Sequence, residues 1–377
     1  MNIEEIRKQF PYLNSGKIYF NHAAVSPLPV IVTESVQKYI QNRSREKIDD
    51  YQSMVDTAAR TKIHLGRLLN AQPDRIAFTK SVTDSLNILA GGINWNEGDR
   101  IILNDIEFPA NVYPFLNLRR KGVIIDFVKS VNGMVTLEDI EKLIKPETKL
   151  LSISFVQFLS GFRADLTSIG KLCKENDIIF CVDAIQGAGV IPLDVVESQI
   201  DFLAGGSHKW LMGLTGLGYL YVTELLQNKI NQPFAGWLSV EDEWDLLNYN
   251  LNFKASAERF HTGTMSFIGA TALNASLQFL ESVGYENIQN TVLENTSYFI
   301  NKLSDMGLNP ILNGVSKNNL AGIVTCPVNN AEVVFDKLTG VNIKCSLREG
   351  QIRFSPHFYN TKDEINFVLN EMKNVIT

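Results

Sequence analysis

The chain has 377 residues, of which 45% are hydrophobic and 20% charged, a composition typical of a globular protein large enough for two domains. Its net charge of −6 argues against a broad nucleic-acid-binding surface, and no apolar run approaches the roughly 20 residues of a membrane span. The charged start is not a secretory signal, and the four cysteines lack the CxxC spacing of a zinc site. We therefore expect a cytoplasmic protein with reduced thiols.

The N-terminal segment is predicted to form a short helix over residues 2–10, which Pro11 ends. An apolar stretch from Ile18 then opens into a loop that contains Asn21 and His22. A loop histidine can contact a substrate or move a proton, but a local hydrogen bond explains a lone histidine equally simply. Both interpretations of His22 stay open.

Helical periodicity over residues 30–70 precedes a strand over 75–79. The next helix begins at Ser81, Val82 and Thr83, a start rich in small hydroxyl residues. The free N–H groups and the dipole of such a start bind phosphate, although ordinary N-capping by Ser81 or Thr83 accounts for the same residues.

Three further strands are expected over 100–103, 123–127 and 150–155, with a helix at about 136–145. Phe108 follows the first of them, and Gln157 follows the third. An aromatic ring at Phe108 can stack on a planar ligand but cannot transfer protons. A plain core position is the alternative for Phe108.

The run from Ile178 to Asp183 is continuously apolar and ends in a carboxylate. Such a run suits a strand of a parallel sheet that is covered on both faces, and open α/β sheets bind ligands at the carboxyl ends of their strands. A buried carboxylate needs a cationic partner, and a protonated pyridine nitrogen is one.

A second strand, Phe202 to Gly206, leads directly to Ser207, His208 and Lys209. Burial lowers the pKa of a lysine and makes its amine nucleophilic, as Schiff-base chemistry requires. A lysine that merely extends to solvent from a turn is the alternative.

The remaining third departs from strand–helix alternation over 232–264, the kind of long loop that often covers a site. Beyond it we expect a helix over 268–283, strands near 320–326 and 341–355, and a closing helix over 361–375. Arg353 stands at the end of an apolar strand, where its guanidinium suits a substrate carboxylate. A surface pair with Glu349 is the alternative.

Asp183-x-x-Gln186, followed 26 residues after Asp183 by the His208-Lys209 dipeptide, resembles the class V aminotransferase (cysteine-desulfurase-like) branch of fold-type I pyridoxal phosphate enzymes. The resemblance extends over nearly the whole chain. It implies an α/β fold, with a large domain built on a mostly parallel seven-stranded sheet and a smaller α+β C-terminal domain. The expected bounds are 18–264 for the large domain and 1–17 with 265–377 for the small one.

The resemblance implies pyridoxal 5′-phosphate as cofactor, an amino acid as substrate, and a homodimer with shared active sites. Lys209 and Asp183 become the catalytic residues, with Lys209 as Schiff-base lysine and general base and Asp183 on the pyridine nitrogen. The further cofactor contacts implied are Ser81, Val82, Thr83, Phe108, Gln157, Gln186, Ser207, His208, Gly263 and Thr264, the last two reaching the partner subunit's phosphate. The substrate contacts implied are Arg353, Arg348, Asn21 and His22.

Two departures from the desulfurase pattern bear on the reaction. Desulfurases carry a cysteine loop between the positions that match Arg348 and Arg353, whereas only four residues separate them here. Phe108 replaces the histidine that stacks on the cofactor, and Cys345 has the pattern of a core thiol. We therefore predict an aminotransferase, with an epimerase or β-lyase as the alternative, and disfavour a desulfurase.

Two other classes of protein agree less well with the sequence. A nicotinamide dehydrogenase needs a Gly-x-Gly-x-x-Gly turn, and the glycines at 213, 216 and 218 have the wrong spacing. A catalytically silent scaffold predicts loss of Lys209 or Asp183, and both are present.

Overall fold

Strands and helices alternate through most of the chain, for which a computed structural model describes residues 2–376. The strands are β1 (Ile18–Tyr19), β2 (Ile76–Thr79), β3 (Arg100–Asn104), β4 (Ile124–Val128), β5 (Thr148–Ser154), β6 (Ile179–Asp183), β7 (Phe202–Gly206), β8 (Gly218–Val222), β9 (Val324–Cys326), β10 (Ile343–Lys344), β11 (Ser346–Arg348) and β12 (Gln351–Phe354). The helices are α1 (Ile3–Arg7), α2 (Val30–Arg45), α3 (Tyr51–Leu69), α4 (Val82–Gly92), α5 (Tyr113–Leu116), α6 (Leu137–Glu141), α7 (Leu166–Glu175), α8 (Glu224–Lys229), α9 (Phe267–Val283), α10 (Tyr285–Asp305), α11 (Ala331–Gly340) and α12 (Lys362–Ile376).

Strands β2 to β8 form one seven-stranded sheet in the order β2-β8-β7-β6-β5-β3-β4. The ladders from β4 to β7 are parallel, and β8 runs antiparallel to both of its neighbours, β7 and β2. Since parallel strands end at the same edge of a sheet, the ends of β5, β6 and β7 lie side by side. The predicted α/β fold with a mostly parallel seven-stranded sheet is confirmed.

The two faces of this sheet pack into two different hydrophobic clusters. Alternate residues of a strand enter alternate clusters, as Ile101 and Ile102 do on β3. Helices α3, α7, α9 and α10 contribute to one cluster, and α4 and α8 to the other. Burial on both faces explains why these strands have continuous apolar sequences.

The C-terminal part forms a smaller antiparallel sheet in the order β11-β12-β9, accompanied by α10, α11 and α12. Strand β1 pairs in parallel with β10, which ties residues near the N-terminus to this part of the chain. An α+β layout for the smaller region agrees with the sequence, and the domain bounds given above stay a prediction.

Some boundaries differ from the sequence expectation. The helical stretch 30–70 is divided into α2 and α3, and the first helix, which Asn2 caps, is one turn shorter than predicted. Within residues 2–376, no helix is long and apolar enough to cross a bilayer.

Candidate active site

A cavity of about 350 Å³ lies where the carboxyl ends of β6 and β7 meet the start of α4 and the hairpin β11–β12. Strand β6 supplies Asp183 as its last residue, and the turn after β7 supplies Lys209. The hairpin contributes Arg348 and Arg353. Residues from four separate segments therefore converge on one space, at the sheet edge where α/β folds bind ligands.

Lys209 is partly buried, and its Nζ lies 5.6 Å from the centroid of the Phe108 ring. Burial lowers the pKa of Lys209 to about 8; Asp183 opposes the shift, and Arg353 and Arg348 add to it. Roughly a tenth of this amine is therefore neutral at pH 7, far more than for an ordinary lysine, and the neutral amine is the form that attacks a carbonyl carbon or accepts a proton.

Asp183 is 2% exposed, and its Oδ1 accepts a hydrogen bond from the Ile185 N–H at 3.0 Å. Burial raises the pKa of Asp183 to about 7; Glu107 adds to the shift, and the Ile185 N–H and Lys209 oppose it. Among the described residues, no cation forms an ion pair with this carboxylate. The floor of the cavity therefore favours a positively charged ligand group at this point.

The start of α4 forms another wall of the cavity, lined by Ser81, Val82 and Thr83. Ser81 Oγ accepts the Asp84 N–H at 3.1 Å and thereby caps the helix, so the alternative role foreseen for it is realised. Lys80, which sequence reasoning did not single out, precedes the cap and lines the same wall. A helix start with an adjacent lysine is suited to an anion.

Aromatic side chains line the side near Lys209. Phe108 is 47% exposed and packs edge to face on Phe158, with ring centroids 5.3 Å apart. Gln186 also lines the cavity. Its side-chain amide donates to the Ala23 carbonyl at 3.0 Å and accepts from Trp210 Nε1 at 2.9 Å. His208 lies beside it, and burial lowers the pKa of its imidazole. An exposed aromatic face at Phe108 is available to stack on a planar ligand.

Arg353 is 2% exposed and donates from Nη1 to the Phe158 carbonyl at 2.7 Å, while its Nε has no partner. Burial lowers the pKa of Arg353 to about 10, and Arg348 adds to the shift. Within residues 2–376 neither arginine forms an ion pair, so the alternative of a pair with Glu349 is not realised. A buried guanidinium without an anion is costly, and a carboxylate in the cavity would remove that cost.

Several predicted contacts do not line this cavity. Asn21 Oδ1 accepts the Ser346 hydroxyl at 2.5 Å, and His22 is fully buried, with burial lowering its pKa to about 3. Ser207 Oγ donates into the carbonyls of its own turn. Gln157 donates to Glu107 at 2.9 Å. In the structure these four side chains bind other protein groups.

Gly263 and Thr264 lie instead in an adjacent cleft of about 800 Å³, which shares Lys80, Gly216 and Leu217 with the first cavity. Their predicted role concerns a partner subunit's cofactor, so their position outside this chain's own cavity is compatible with it. That role stays a prediction.

The hairpin β11–β12 closes through two residues, Glu349 and Gly350, both with positive φ (47° and 70°). This tight turn leaves no space for a loop between Arg348 and Arg353. All four cysteines are buried, and burial raises the pKa of each thiol. None of these thiols lines the cavity, so this chain presents no sulfur nucleophile there.

Comparison with known proteins identifies the family. The family model for class V aminotransferases matches residues 18–368. The chain belongs to this family. Its members are pyridoxal-phosphate-dependent enzymes, and pyridoxal 5′-phosphate is the cofactor.

Relatives within the family carry different names. The chain is 27% identical to the uncharacterized aminotransferase YcbU of Bacillus subtilis, over 98% of this chain and 97% of that one. It is 31% identical to a probable cysteine desulfurase of Borreliella burgdorferi, over 100% and 97% of the two chains. The apo structure of a cysteine desulfurase from Thermococcus onnurineus superposes with a TM-score of 0.90, at 26% identity and 99% and 98% coverage.

The cavity residues fit the cofactor of this family. The unpaired Asp183 carboxylate is suited to a cationic ring nitrogen, and the start of α4 with Lys80 is suited to a phosphate. Lys209 offers an amine of lowered pKa to an aldehyde, and the space of about 350 Å³ falls in the range of small-ligand pockets.

Two residues of this environment escaped sequence reasoning. A single lysine before a helix is common, so the sequence gives no reason to assign Lys80 a role. Glu107 is 8% exposed although it is an acid in a loop, and its burial depends on donors from residues 47 and 50 positions away. The one indication in the sequence is that Glu107 directly precedes Phe108, which is itself a predicted cofactor contact.

Proposed function

We propose that this class V enzyme is an aminotransferase that acts on an amino acid. The observation that carries the proposal is the two-residue turn Glu349–Gly350, which stands where desulfurases carry their cysteine loop. The cavity retains an amine, a carboxylate and a guanidinium, and these groups suffice to bind an amino acid and move its α-proton. They do not include a thiol that could accept sulfur.

In this proposal Lys209 would bind the cofactor through its amine, Asp183 would attract the ring nitrogen, and Phe108 would pack on the ring. Ser81, Val82, Thr83 and Lys80 bind the phosphate, and Gln186 and His208 flank the ring. When bound, pyridoxal phosphate supplies an electron-withdrawing system that stabilises negative charge at the α-carbon of an amino acid. Asp183 strengthens that effect because its charge keeps the ring nitrogen protonated.

Arg353 binds the substrate α-carboxylate. Its burial fixes the guanidinium, and its bond to the Phe158 carbonyl sets its direction. Arg348 lines the same cavity from the opposite strand of the hairpin, where it pairs with Gln351. Two guanidinium groups hold a carboxylate against the cavity wall and thereby orient the α-proton.

Lys209 is the group that removes the α-proton and returns it. Its lowered pKa, about 8, leaves a useful fraction of free amine near neutral pH. Phe108 and Phe158, which pack together on the cavity wall, carry no transferable proton. At these two positions there is no second proton carrier of the kind that epimerisation needs, which supports transamination.

The active assembly in this proposal is a homodimer with shared sites. Large apolar side chains are exposed along residues 234–251, and a cluster of this kind is typical of a protein–protein interface. The cleft that holds Gly263 and Thr264 adjoins this segment through Phe234. In this proposal a second copy covers this surface, and Gly263 and Thr264 contribute to its cavity. The cytoplasmic location stays a prediction.

The proposal is tested on purified protein loaded with pyridoxal phosphate. Single amino acids are added, and the cofactor absorbance and the products are followed. Stoichiometric release of a keto acid, with transfer of the amino group to a second keto acid, is the expected result. Sulfide and alanine from cysteine would show a desulfurase and refute the proposal.

A β-lyase is the second candidate, because several relatives are named probable cysteine desulfurase and β-elimination needs no enzyme thiol. Pyruvate and ammonia released together from a β-substituted amino acid would support this candidate. A β-lyase would form pyruvate and ammonia over many turnovers without an amino acceptor, whereas an aminotransferase needs one.

A further inference from the structure

Glu107 is a buried residue of the loop that follows β3, and it directly precedes Phe108. Its Oε1 accepts hydrogen bonds from Asn104 Nδ2 at 2.6 Å, Ser154 N at 2.7 Å and Gln157 Nε2 at 2.9 Å. Its Oε2 accepts the hydroxyl of Ser154 at 2.5 Å. All four contacts are with groups that can donate, which is the pattern of an ionised carboxylate.

These bonds join the loops that carry the two aromatic side chains of the cavity. Glu107 precedes Phe108, and Gln157 precedes Phe158. The bond between Glu107 and Gln157 thus runs beside the edge-to-face contact of the two phenyl rings. Moving one loop against the other would break both contacts together.

Glu107 is also an electrostatic neighbour of Asp183. Ser154, which donates twice to Glu107, is the residue of β5 that pairs with Asp183 of β6. Glu107 is therefore bonded to the residue next to Asp183 on the neighbouring strand, and its charge raises the pKa of Asp183. The other charged group that acts on Asp183 is Lys209, and within residues 2–376 neither carboxylate has an ion-pair partner.

We propose that Glu107 is a positioning residue that acts through Asp183, and that its charge makes the floor of the cavity select a cationic ring over a neutral one. Asp183 faces the ring nitrogen directly, whereas Glu107 contacts only protein groups. Its charge adds to the attraction for a cation through a low-dielectric interior, where a Coulomb interaction at a given distance is stronger than in water. The inference concerns cofactor binding and does not depend on which reaction follows.

The chain offers a matched pair of variants for this test. Glu107→Gln removes the charge and can keep all four contacts, because its amide oxygen accepts the three N–H donors and its amide nitrogen can donate to the Ser154 hydroxyl. Ser154→Ala removes one hydrogen bond and keeps the charge. The probe is pyridoxine 5′-phosphate, which lacks the aldehyde and binds without joining Lys209. Its affinity is measured by calorimetry from pH 6 to 9, with the thermal midpoint as a second readout.

E107Q is expected to bind the probe about tenfold more weakly at pH 7, and the pH above which binding weakens should fall by about one unit. S154A should stay within about twofold of the wild type while its thermal midpoint falls. Unchanged binding by E107Q, or equal losses in both variants, would overturn the proposal in favour of a purely structural role.

If E107Q does not fold, Glu107→Asp replaces it, since this variant keeps the charge and shortens the reach to the donors. Binding within about threefold of the wild type supports the charge effect, and a loss of about tenfold or more overturns it. Because no turnover is measured, failure of this inference is distinguishable from failure of the aminotransferase proposal.

Discussion

Two groups of polar side chains in this molecule lie away from solvent and differ in whether their hydrogen bonds and charges have partners. The first lines the cavity and contains Asp183, Lys209 and Arg353, none of which has an ion-pair partner among residues 2–376. The second contains His22 and Tyr359, which are fully buried and hydrogen-bonded. Since leaving a buried charge unpaired costs free energy, its persistence marks the place where a ligand belongs.

The second group is complete without a ligand. His22 Nδ1 lies 2.7 Å from the Ser355 carbonyl and therefore carries the proton, so Nε2 accepts the Tyr359 hydroxyl at 2.6 Å. Tyr359 in turn accepts from Tyr12 at 3.0 Å. This network joins two distant parts of the chain, the segment that contains Tyr12 and His22 and the segment that contains Ser355 and Tyr359.

Replacing Lys209 by Ala tests the first group most strongly. Turnover should fall at least about a thousandfold, because the covalent anchor and the general base are lost together. Borohydride reduction followed by mass spectrometry should no longer add the cofactor to the protein. Lys171→Ala, at a surface lysine whose side chain is 72% exposed, serves as the control and should be active. Retained turnover in the Lys209 variant would remove the distinction between the two groups.

Arg353→Gln should raise KM for an amino acid by about 10- to 100-fold, since a charge-assisted bond to the α-carboxylate is lost. Steady-state kinetics with the amino acid and with the matching amine, which lacks the carboxylate, isolate that contact. The wild type should discriminate between them, and the variant should do so much less. Equal effects on both substrates would assign Arg353 a structural role like that of the second group.

Asp183→Asn should make the cofactor-free protein more heat-stable at pH 8 and change it little at pH 5. The pKa of Asp183 is raised to about 7 in the fold, so the folded state holds this proton more tightly than the unfolded chain. The stability that this proton confers is full below the unfolded pKa, about 4, and is lost as the pH rises through about 7. Thermal melts of both proteins at the two pH values check the prediction, and a difference that does not vary with pH would contradict it.

Tyr359→Phe should lower the free energy of unfolding by about 1–3 kcal/mol and leave kcat nearly unchanged. The variant removes the hydroxyl that satisfies His22 Nε2, without opening a cavity. Urea denaturation measures the loss. Tyr298→Phe, whose hydroxyl bonds Asn366 at a partly buried site, is the control and should lose less. A large fall in kcat with little loss of stability would contradict this expectation and show that the network takes part in catalysis.

Cys345→Ala should have the smallest effect, with turnover within about twofold of the wild type and a stability loss of about 1 kcal/mol. Cys345 is 6% exposed and lies outside the cavity, and burial raises its pKa to about 12. Turnover and sulfide release are measured side by side. Loss of activity with sulfide release by the wild type would show that this thiol reaches the substrate.

The sequence predicted those parts of the fold and site that depend on local pattern. The apolar runs identified β6 and β7, and the polar residues at their ends indicated Asp183 and Lys209. Arg353 was recognised in the same way, and the family resemblance agreed with all three. Because parallel strands end at the same edge of a sheet, the sequence pattern alone also predicts that these two strand ends lie near each other.

Contacts between distant segments could not be predicted in this way. His22 bonds a carbonyl 333 residues away, so its local sequence cannot distinguish a substrate contact from a structural one. Asn21 and Gln157 are similar, because their partners come from β11 and from Glu107. The division of the stretch 30–70 was also missed, since the break near Asp50 interrupts the helix without proline or glycine.

The burial of the four thiols has a practical consequence for labelling. Maleimides and similar reagents attack thiolates, and thiols with strongly raised pKa values react slowly at neutral pH. A single cysteine introduced on an exposed helix face, such as Lys171→Cys on α7, would therefore be the preferred attachment point with all native cysteines in place. The chain is in this sense ready for a fluorophore or spin label at one chosen position.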